Sequence, residues 1–272
     1  NVQASKIEPN TLKGFDPSEL NEPWKVTDLL EYSKVIHEKI YNAKRPVIFA
    51  GSGIRLSGKH DSFIKLVEKL KVPIVTGWNA HDVIWNTHSY YCGRPGTIGD
   101  RGGNFTVQNS DLLIILGSRM SQPQTGYNLS LFAPEAKYIY VDIDKNEIKK
   151  FSKKNIFSVI SDLKLFLMNF LKFMKNRSID KNTNIIHLNW LKKTIAWKSK
   201  YPVVLKKYRH EKKINSFHFI DEISKRIKKN SCIVTDMGTS FTCTMQSFKT
   251  KINQRLFTSS GIAAMGFGLP GI

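Results

Sequence analysis

Two runs near the carboxyl end carry residue types suited to holding a phosphorylated or flat ligand. Ile233-Val-Thr-Asp-Met-Gly-Thr-Ser240 is a short apolar, β-rich run that ends in Asp-x-Gly-Thr-Ser. A buried parallel strand hands over in this way to a helix N-terminus, whose free N–H groups attract phosphate oxygens. Phe257-Thr-Ser-Ser-Gly-Ile-Ala-Ala-Met-Gly-Phe-Gly-Leu-Pro-Gly271 concentrates four glycines, a methionine and a proline. Glycine lacks the Cβ that would keep a ligand or a neighbouring helix away from the backbone. This run stops in mid-element, so the chain is expected to be a fragment whose last domain has only begun.

A second set of candidates lies in the first half: Gly51-Ser-Gly53, Gly77-Trp-Asn79, Cys92-Gly-Arg-Pro-Gly-Thr97, Gly117-Ser-Arg119 and Asp142-Ile-Asp144. Most of these follow an apolar run that reads as a strand, and in an open parallel sheet ligands lie outside the carboxyl ends of the strands. Glycines admit a flat or phosphorylated ligand, Arg94 and Arg119 suit a diphosphate, and a strand-end carboxylate suits ribose hydroxyls. Together they describe a dinucleotide crevice. The GxGxxG fingerprint itself is absent, because Leu56 stands where its third glycine belongs. Asp142, Asp144 and Glu147 also look like paired acid–base carboxylates, but a ribose contact with helix N-capping accounts for them more simply. His60, His81, His88, His187 and His218 lack a Ser or Cys partner in a triad setting. His81 and His88 flank a loop near the expected crevice and are placed to touch a ligand.

These positions need elements to hold them. From Lys25 the residues Val26, Leu29, Leu30, Ile36, Ile40 and Tyr41 recur at helical spacing, and Arg45-Pro-Val-Ile-Phe-Ala-Gly-Ser-Gly53 reads as a buried strand entering a glycine turn. A helix over residues 61–70 places Phe63, Leu66, Val67 and Leu70 on one face. Further strands are expected over residues 72–76, 111–117 and 137–143. The alternation predicts an α/β fold, a doubly wound parallel sheet forming a central domain over residues 24–175. It is followed by the first βα units of a second α/β domain over residues 214–272. Residues 1–23, with Pro9, Gly14, Pro17 and Pro23, read as a linker. Between Phe151 and Lys213 a helix carrying Ile160, Leu163, Phe166, Leu167, Phe170, Leu171 and Phe173 gives way to a basic linker, residues 176–213. There Trp190 and Trp197 share a helical face and pack a connector onto a domain. Phe217, Ile220, Ile223 and Ile227 mark a last helix before the strand at Cys232.

Composition narrows the classes. At 272 residues the chain exceeds one average domain. Cys92, Cys232 and Cys243 are odd in number and form no CxxC pair, which argues against a disulfide framework or a zinc site and fits a reducing compartment. No charged-then-apolar leader and no run of about 18 apolar residues occurs, so a cytoplasmic location is expected. The net charge of +20 raises nucleic acid as a partner. The lysines, however, spread over helix faces and linkers at residues 145–154, 192–200 and 206–213, without the interleaved aromatics of an RNA-binding sheet.

The pairing of Gly117-Ser-Arg119 with Val141-Asp-Ile-Asp144, followed by Val234-Thr-Asp-Met-Gly238 and Ser260-Gly-Ile-Ala-Ala-Met-Gly-Phe-Gly-Leu-Pro270, resembles thiamine diphosphate-dependent enzymes of the acetolactate synthase large (catalytic) subunit type. The resemblance covers nearly the whole chain. Asn1-Val-Gln3 look like the end of that family's N-terminal pyrimidine-binding domain. The resemblance therefore implies a fragment without that domain and without most of the C-terminal diphosphate-binding domain. It implies that Gly238, Thr239, Ser240 and Gly261 contact thiamine diphosphate, and that Ala263 and Met265 line its rings. A large polarizable Met265 would there hold the coenzyme bent, with its amino group near the carbon it must deprotonate. It further implies that Gly51, Ser52, Gly53, Gly77, Trp78, Arg94, Gly96, Gly117, Arg119, Asp142 and Asp144 match positions that hold FAD or an adenine nucleotide. The flavin stays open, since Pro95 replaces a histidine common beside it. Thr239 and Ser240 stand where relatives usually show Gln-His, which bears on substrate preference.

On this resemblance the parent enzyme decarboxylates a 2-oxo acid such as pyruvate and adds the product carbanion to a second carbonyl. No catalytic residue falls within the fragment. The activating glutamate and the Mg²⁺ ligands are expected outside the chain, which is expected to be inactive alone, and the parent a homodimer or homotetramer. The loop Gly93-Arg-Pro-Gly-Thr-Ile-Gly-Asp-Arg-Gly-Gly-Asn104, with Gly117-Ser-Arg-Met120, looks closer to relatives associated with surface-sugar biosynthesis. An alternative is an NAD-dependent deacylase or other adenine-nucleotide-binding protein, because Phe49-Ala-Gly-Ser-Gly-Ile54 looks like that fold's first turn; the missing CxxC pairs count against it. A basic nucleic-acid module is a third reading, distinguishable by steep salt dependence.

Overall fold

In the computed structural model residues 8–14, 16, 28–151, 155–177 and 179–272 are described. Six apolar runs form one parallel sheet: β1 (Pro46–Ala50), β2 (Ile74–Thr76), β3 (Tyr91–Gly93), β4 (Leu112–Leu116), β5 (Lys137–Asp142) and β6 (Ile156–Ile160). Their order is β3-β2-β1-β4-β5-β6, and every neighbouring pair is parallel. Helices α1 (Leu29–Asn42), α2 (Gly53–Leu56), α3 (His60–Leu70), α4 (Arg101–Gln108), α5 (Gln122–Thr125), α6 (Lys145–Lys149), α7 (Leu163–Met174) and α8 (Lys181–Lys200) connect and cover them. A smaller unit follows, with α9 (Ser216–Arg226), β7 (Cys232–Thr235), α10 (Thr239–Ser247) and β8 (Arg255–Thr258); β7 and β8 pair in parallel.

The sheet is buried on both faces, which is why its central strands are continuous apolar runs. Alternate residues divide between two cores. Ile48, Ile114 and Ile139 pack with Ile36, Phe63, Leu167 and Phe170 beneath α1, α3 and α7. Phe49, Leu113, Ile115 and Tyr140 pack with Val107, Ile148, Trp190 and Leu191 on the other face. Aspartate and asparagine side chains start the helices, each accepting a backbone N–H of the first turn: Asp28 on α1, Asp100 on α4, Asp144 on α6, Asp162 on α7, Asp180 on α8 and Asn215 on α9. Such caps contribute roughly 1 kcal/mol apiece.

The expected strands over residues 45–50, 111–117 and 137–143 form within a residue or so of those bounds, while β2 is shorter than 72–76. Two strands of the six-stranded sheet escape the sequence pattern, as does β8 in the smaller unit. Ile156–Ile160 is the sixth strand and not the start of a helix, because Ile160 falls at helical spacing from Leu163 and Phe166 although α7 begins only at Leu163. Tyr91–Gly93 is too short to carry a periodicity. The stretch read as a linker over residues 176–213 contains the twenty-residue α8. Its Trp190 indole donates to the Pro46 carbonyl (3.1 Å), and the His187 ring meets the Ala43 carbonyl (2.9 Å). Most of the amino-terminal linker, and the helix residues read from Lys25 to Thr27, lie outside the described residues; Pro9–Thr11 form a 3-10 turn. Among the described residues no helix is long and apolar enough to cross a membrane.

β4 is a central strand, paired on both sides with β1 and β5. Ile115→Ala, at a fully buried position, is expected to lower unfolding stability by about 2–5 kcal/mol, read as a fall in the urea midpoint at unchanged slope.

Candidate functional site

The order of the strands reverses between β1 and β4, and at that switch point the loops leaving the two strands diverge to opposite faces and open a crevice. Here the loops are tied closely. Gly51 N–H donates to Leu116 O (2.9 Å), Gly53 N–H to Gly117 O (3.0 Å), and Gly117 N–H to Val141 O (3.0 Å). A Cβ on Gly51 would lie 2.0 Å from Gly117 O, and one on Gly117 would lie 2.4 Å from Leu163 Cδ1. Gly117 also has φ of +57°, a left-handed conformation that costs other residues more. The two glycines are required by contact as well as by any ligand.

Two cavities open from this point. One, of about 400 Å³, is lined by Ser52, Gly53, Gly117, Arg119, Asp142, Asp144 and Asp162. The other, of about 390 Å³, shares Ser52 and Arg119 and adds Gly51, Gly77, Trp78, Gln124, Ser260 and Gly261. The cleft thus runs from a carboxylate end to the carboxyl-terminal glycine segment. Asp142 is buried at the end of β5, and burial pushes its carboxyl up, only partly offset by the N–H bond from Asp144 (3.0 Å). Asp144 accepts from Asn146 N–H (2.8 Å) and caps α6, as its N-cap reading requires. Arg119 is exposed. Trp78 lines the second cavity, and its indole N–H is buried without a partner.

In the smaller unit, α10 starts at Gly238, whose φ of 74° and ψ of −137° are open to glycine alone. Thr239 and Ser240 follow, exposed in the first turn. The Asp236 carboxylate just before them accepts three backbone N–H groups, from Met237 (2.7 Å), Gly266 (3.0 Å) and Gly268 (3.1 Å). These bonds hold its carboxyl below the usual range. They also fasten the segment carrying Ala263 and Met265 beside the N-terminus of α10. Met265 is 90% exposed. Ser260 Oγ meets Asn79 Oδ1 (2.6 Å), joining that segment to the rim of the cleft.

The structure therefore brings together Gly51, Ser52, Gly53, Gly77, Trp78, Gly117, Arg119, Asp142, Asp144 and Gly261. It engages Arg94 elsewhere: the buried guanidinium donates to Met245 O (2.7 Å) and Phe248 O (2.5 Å) at the end of α10, and Arg94 lines neither cavity. Gly96 lies behind Trp78, where a Cβ would come within 2.9 Å of the indole nitrogen. His81 is buried with both ring nitrogens unpaired, and His88 faces Glu68 at 3.0 Å; neither lines the cleft. Sequence reasoning missed Asp162 and Gln124. Asp162 is legible as an aspartate following a strand once β6 is recognised. Gln124, whose Nε2 would lie 2.6 Å from a Cβ on Gly77, carries no signal in the sequence.

The donors present fit the groups expected. The glycine cradle, the unpaired indole N–H and Arg119 suit a phosphorylated nucleotide, with Asp142 and Asp144 at the ribose end. Gly238, Thr239 and Ser240 suit a diphosphate at a helix N-terminus. Fold and cleft thus define a doubly wound α/β protein with a crevice at the switch point of its sheet.

Comparison with known proteins is specific. A family described as "Thiamine pyrophosphate enzyme, central domain" matches residues 34–170, half of the chain. The chain belongs to this family. It is 30% identical to a probable acetolactate synthase large subunit of Methanococcus aeolicus, over 95% of this chain and 43% of that protein. A protein of the same description from Methanocaldococcus jannaschii is 32% identical over 95% of this chain and 42% of its own length. The acetolactate synthase large subunit of Lactococcus lactis is 30% identical, over 96% and 45% respectively. The chain thus spans less than half the length of these relatives.

Three substitutions check the site. Gly51→Ala forces a Cβ into backbone and is expected to destabilise by about 1–3 kcal/mol or more, whereas Gly261→Ala, with open space around it, stays within about 0.5 kcal/mol; thermal unfolding distinguishes them. Asp142 has a folded pKa raised by burial, so its effect favours folding below the unfolded pKa and is lost as pH rises through the folded one. Asp142→Asn is accordingly expected to raise the urea midpoint at neutral pH relative to the parent, and this relative gain should shrink at acid pH.

Proposed function

We propose that the chain contributes to a thiamine diphosphate-dependent 2-oxo acid decarboxylase or carboligase similar to acetolactate synthase, acting on a small acid such as pyruvate. The observation that carries the reading is the Asp236 carboxylate binding Gly266 and Gly268. It ties the segment carrying Ala263 and Met265 to the turn just before Gly238, and family resemblance assigns the coenzyme to those residues. Gly238, Thr239 and Ser240 would hold its diphosphate, with Gly261, Ala263 and Met265 toward its rings. The coenzyme supplies an electron sink for decarboxylation. The chain's own residues bind and orient: the α10 N-terminus neutralises phosphate charge, and Asp236 keeps the glycine segment in place.

The central cleft is proposed to hold FAD or an adenine nucleotide in a structural or regulatory role, between Gly51, Ser52, Gly53, Gly77, Trp78, Gly117 and Arg119, with Asp142 and Asp144 toward the ribose. The proposed setting is cytoplasmic, Mg²⁺-dependent and at least dimeric, with a nucleotide-linked keto sugar as a candidate acceptor. Family membership does not favour the NAD-dependent deacylase alternative.

The purified 272-residue chain is expected to retain FAD or ADP on equilibrium dialysis, and Gly117→Val, which closes the cradle, to weaken retention at least ~tenfold, equivalent to 1.4 kcal/mol. A flavin is read from the visible absorbance of the protein. Preference for NAD with no binding of FAD or ADP would overturn the cleft assignment. The chain alone is expected to release no CO2 from pyruvate with thiamine diphosphate and Mg²⁺, and detectable release would refute that part.

A further inference from the structure

A third cavity, of about 470 Å³, shares no lining residue with the cleft. Three segments wall it: residues 86–100 after β2, the end of α8 with its continuation to residue 204, and residues 246–249 at the end of α10. Its charges do not balance. Lys198 donates to the carbonyls of Asn86 (2.9 Å) and Tyr91 (3.0 Å) and rests 4.3 Å over the Tyr91 ring. Arg94 donates to the carbonyls at the end of α10. Among the described residues neither cation forms a salt bridge. Lys249, a third cation on the wall, is paired with Asp221 (2.7 Å). The one lining carboxylate, Asp100, already accepts Gly103 N–H (2.6 Å) and Arg94 N–H (2.8 Å).

Two cations with little access to water share one buried carboxylate, Asp100, and the positive charge left over is costly unless something anionic meets it. Burial lowers the Lys198 ammonium to about 8, the mark of that cost. Two buried polar atoms of lining residues also lack partners, the Ser247 hydroxyl and Arg94 Nε, on residues 3% and 4% exposed. Buried donors of this kind normally have a partner. The rest of the lining sets Ile195, Pro202, Val203, Val204 and Phe248 beside the polar residues 86–89, Ser199 and Gln246, and most of its exposed surface is apolar. Such a pocket, mostly apolar with a few convergent donors, is the usual form of a small-molecule site.

We propose that this cavity binds a small organic carboxylate, its anionic head toward Lys198, Arg94 and Ser247 and its apolar body against Val203, Val204 and Phe248. The inference goes beyond the proposed function, because it concerns a different cavity and a different ligand and is tested by binding alone.

Benzoate, its uncharged isostere benzamide and inorganic phosphate are to be titrated calorimetrically into the 272-residue chain. Benzoate is expected to bind at least ~tenfold more tightly than benzamide and than phosphate, in line with a charge-assisted hydrogen bond. Ser247→Ala, which breaks no existing bond, should weaken benzoate about fivefold, and Val203→Trp, which fills the space, should abolish it. Lys198→Gln should remove the preference over benzamide; because Lys198 also ties two loop carbonyls, its thermal unfolding is measured alongside, and the two other variants decide if it fails to fold. Equal affinity for benzoate and benzamide, tighter binding of phosphate, absence of saturable binding, or benzoate binding untouched by Val203→Trp would each overturn the proposal.

Discussion

Everything at the centre of this chain follows from the approach of two backbones, Gly51 against Gly117, across the point where the sheet changes direction. Gly51 N–H bonds the last residue of β4, and Gly53 N–H bonds Gly117 O. Both bonds need the loops closer than a pair of Cβ atoms permits. This contact fixes how far apart β1 and β4 can splay, and so where Ser52 and Arg119 stand and where the two cavities meet. The glycines do more than admit a ligand. They set the geometry of the turn itself, and the space for a ligand is what their closeness leaves over.

A second constraint joins the sheet to the smaller unit. Helix α10 ends against the sheet domain with its last carbonyls uncovered by any further turn, and an orphan carbonyl in a buried setting must find a donor. Arg94 supplies two N–H groups to Met245 and Phe248. The dipole at a helix C-terminus favours a cation in that place. Asp82 does the converse on the other side, accepting Arg255 Nε (2.6 Å) and Leu256 N–H (3.2 Å) at the start of β8. Asp82 lies in the loop after β2, whose Gly77 and Trp78 line the cleft, so a loop that builds the cleft also seats the unit that carries Gly238; Arg94 does so from the loop after β3, outside the cleft.

Legibility in the sequence follows the physics of each element. β1, β4 and β5 are readable because burial on both faces demands uninterrupted apolar runs, and α3 because one buried stripe leaves a 3.6-residue period. β6 was hidden because Val159 and Ile160 continue, by accident of spacing, the stripe of Leu163, Phe166 and Leu167. Placing the strand-end glycines was possible since a parallel sheet sends its ligand side to one edge. The role of Arg94 was not, because what it bonds lies 151 and 154 residues further along the chain. Local pattern holds no information about such a contact. An arginine among glycines looks the same whether it awaits a diphosphate or caps a helix.

The carboxyl-terminal glycine segment is organised by a different balance from the sheet. Ile262, Met265, Leu269 and Ile272 are each more than 80% exposed, so apolar burial does not hold this segment. The Asp236 carboxylate does, through N–H groups of Gly266 and Gly268, and an ionised acceptor makes such bonds stronger than neutral ones. Local opening free energy scales with buried apolar contact, which puts this segment toward the low end of the molecule's stability. A core methionine would show the reverse, burial without a polar anchor. Met265 instead stands on a backbone fixed from behind by a carboxylate, with its side chain exposed.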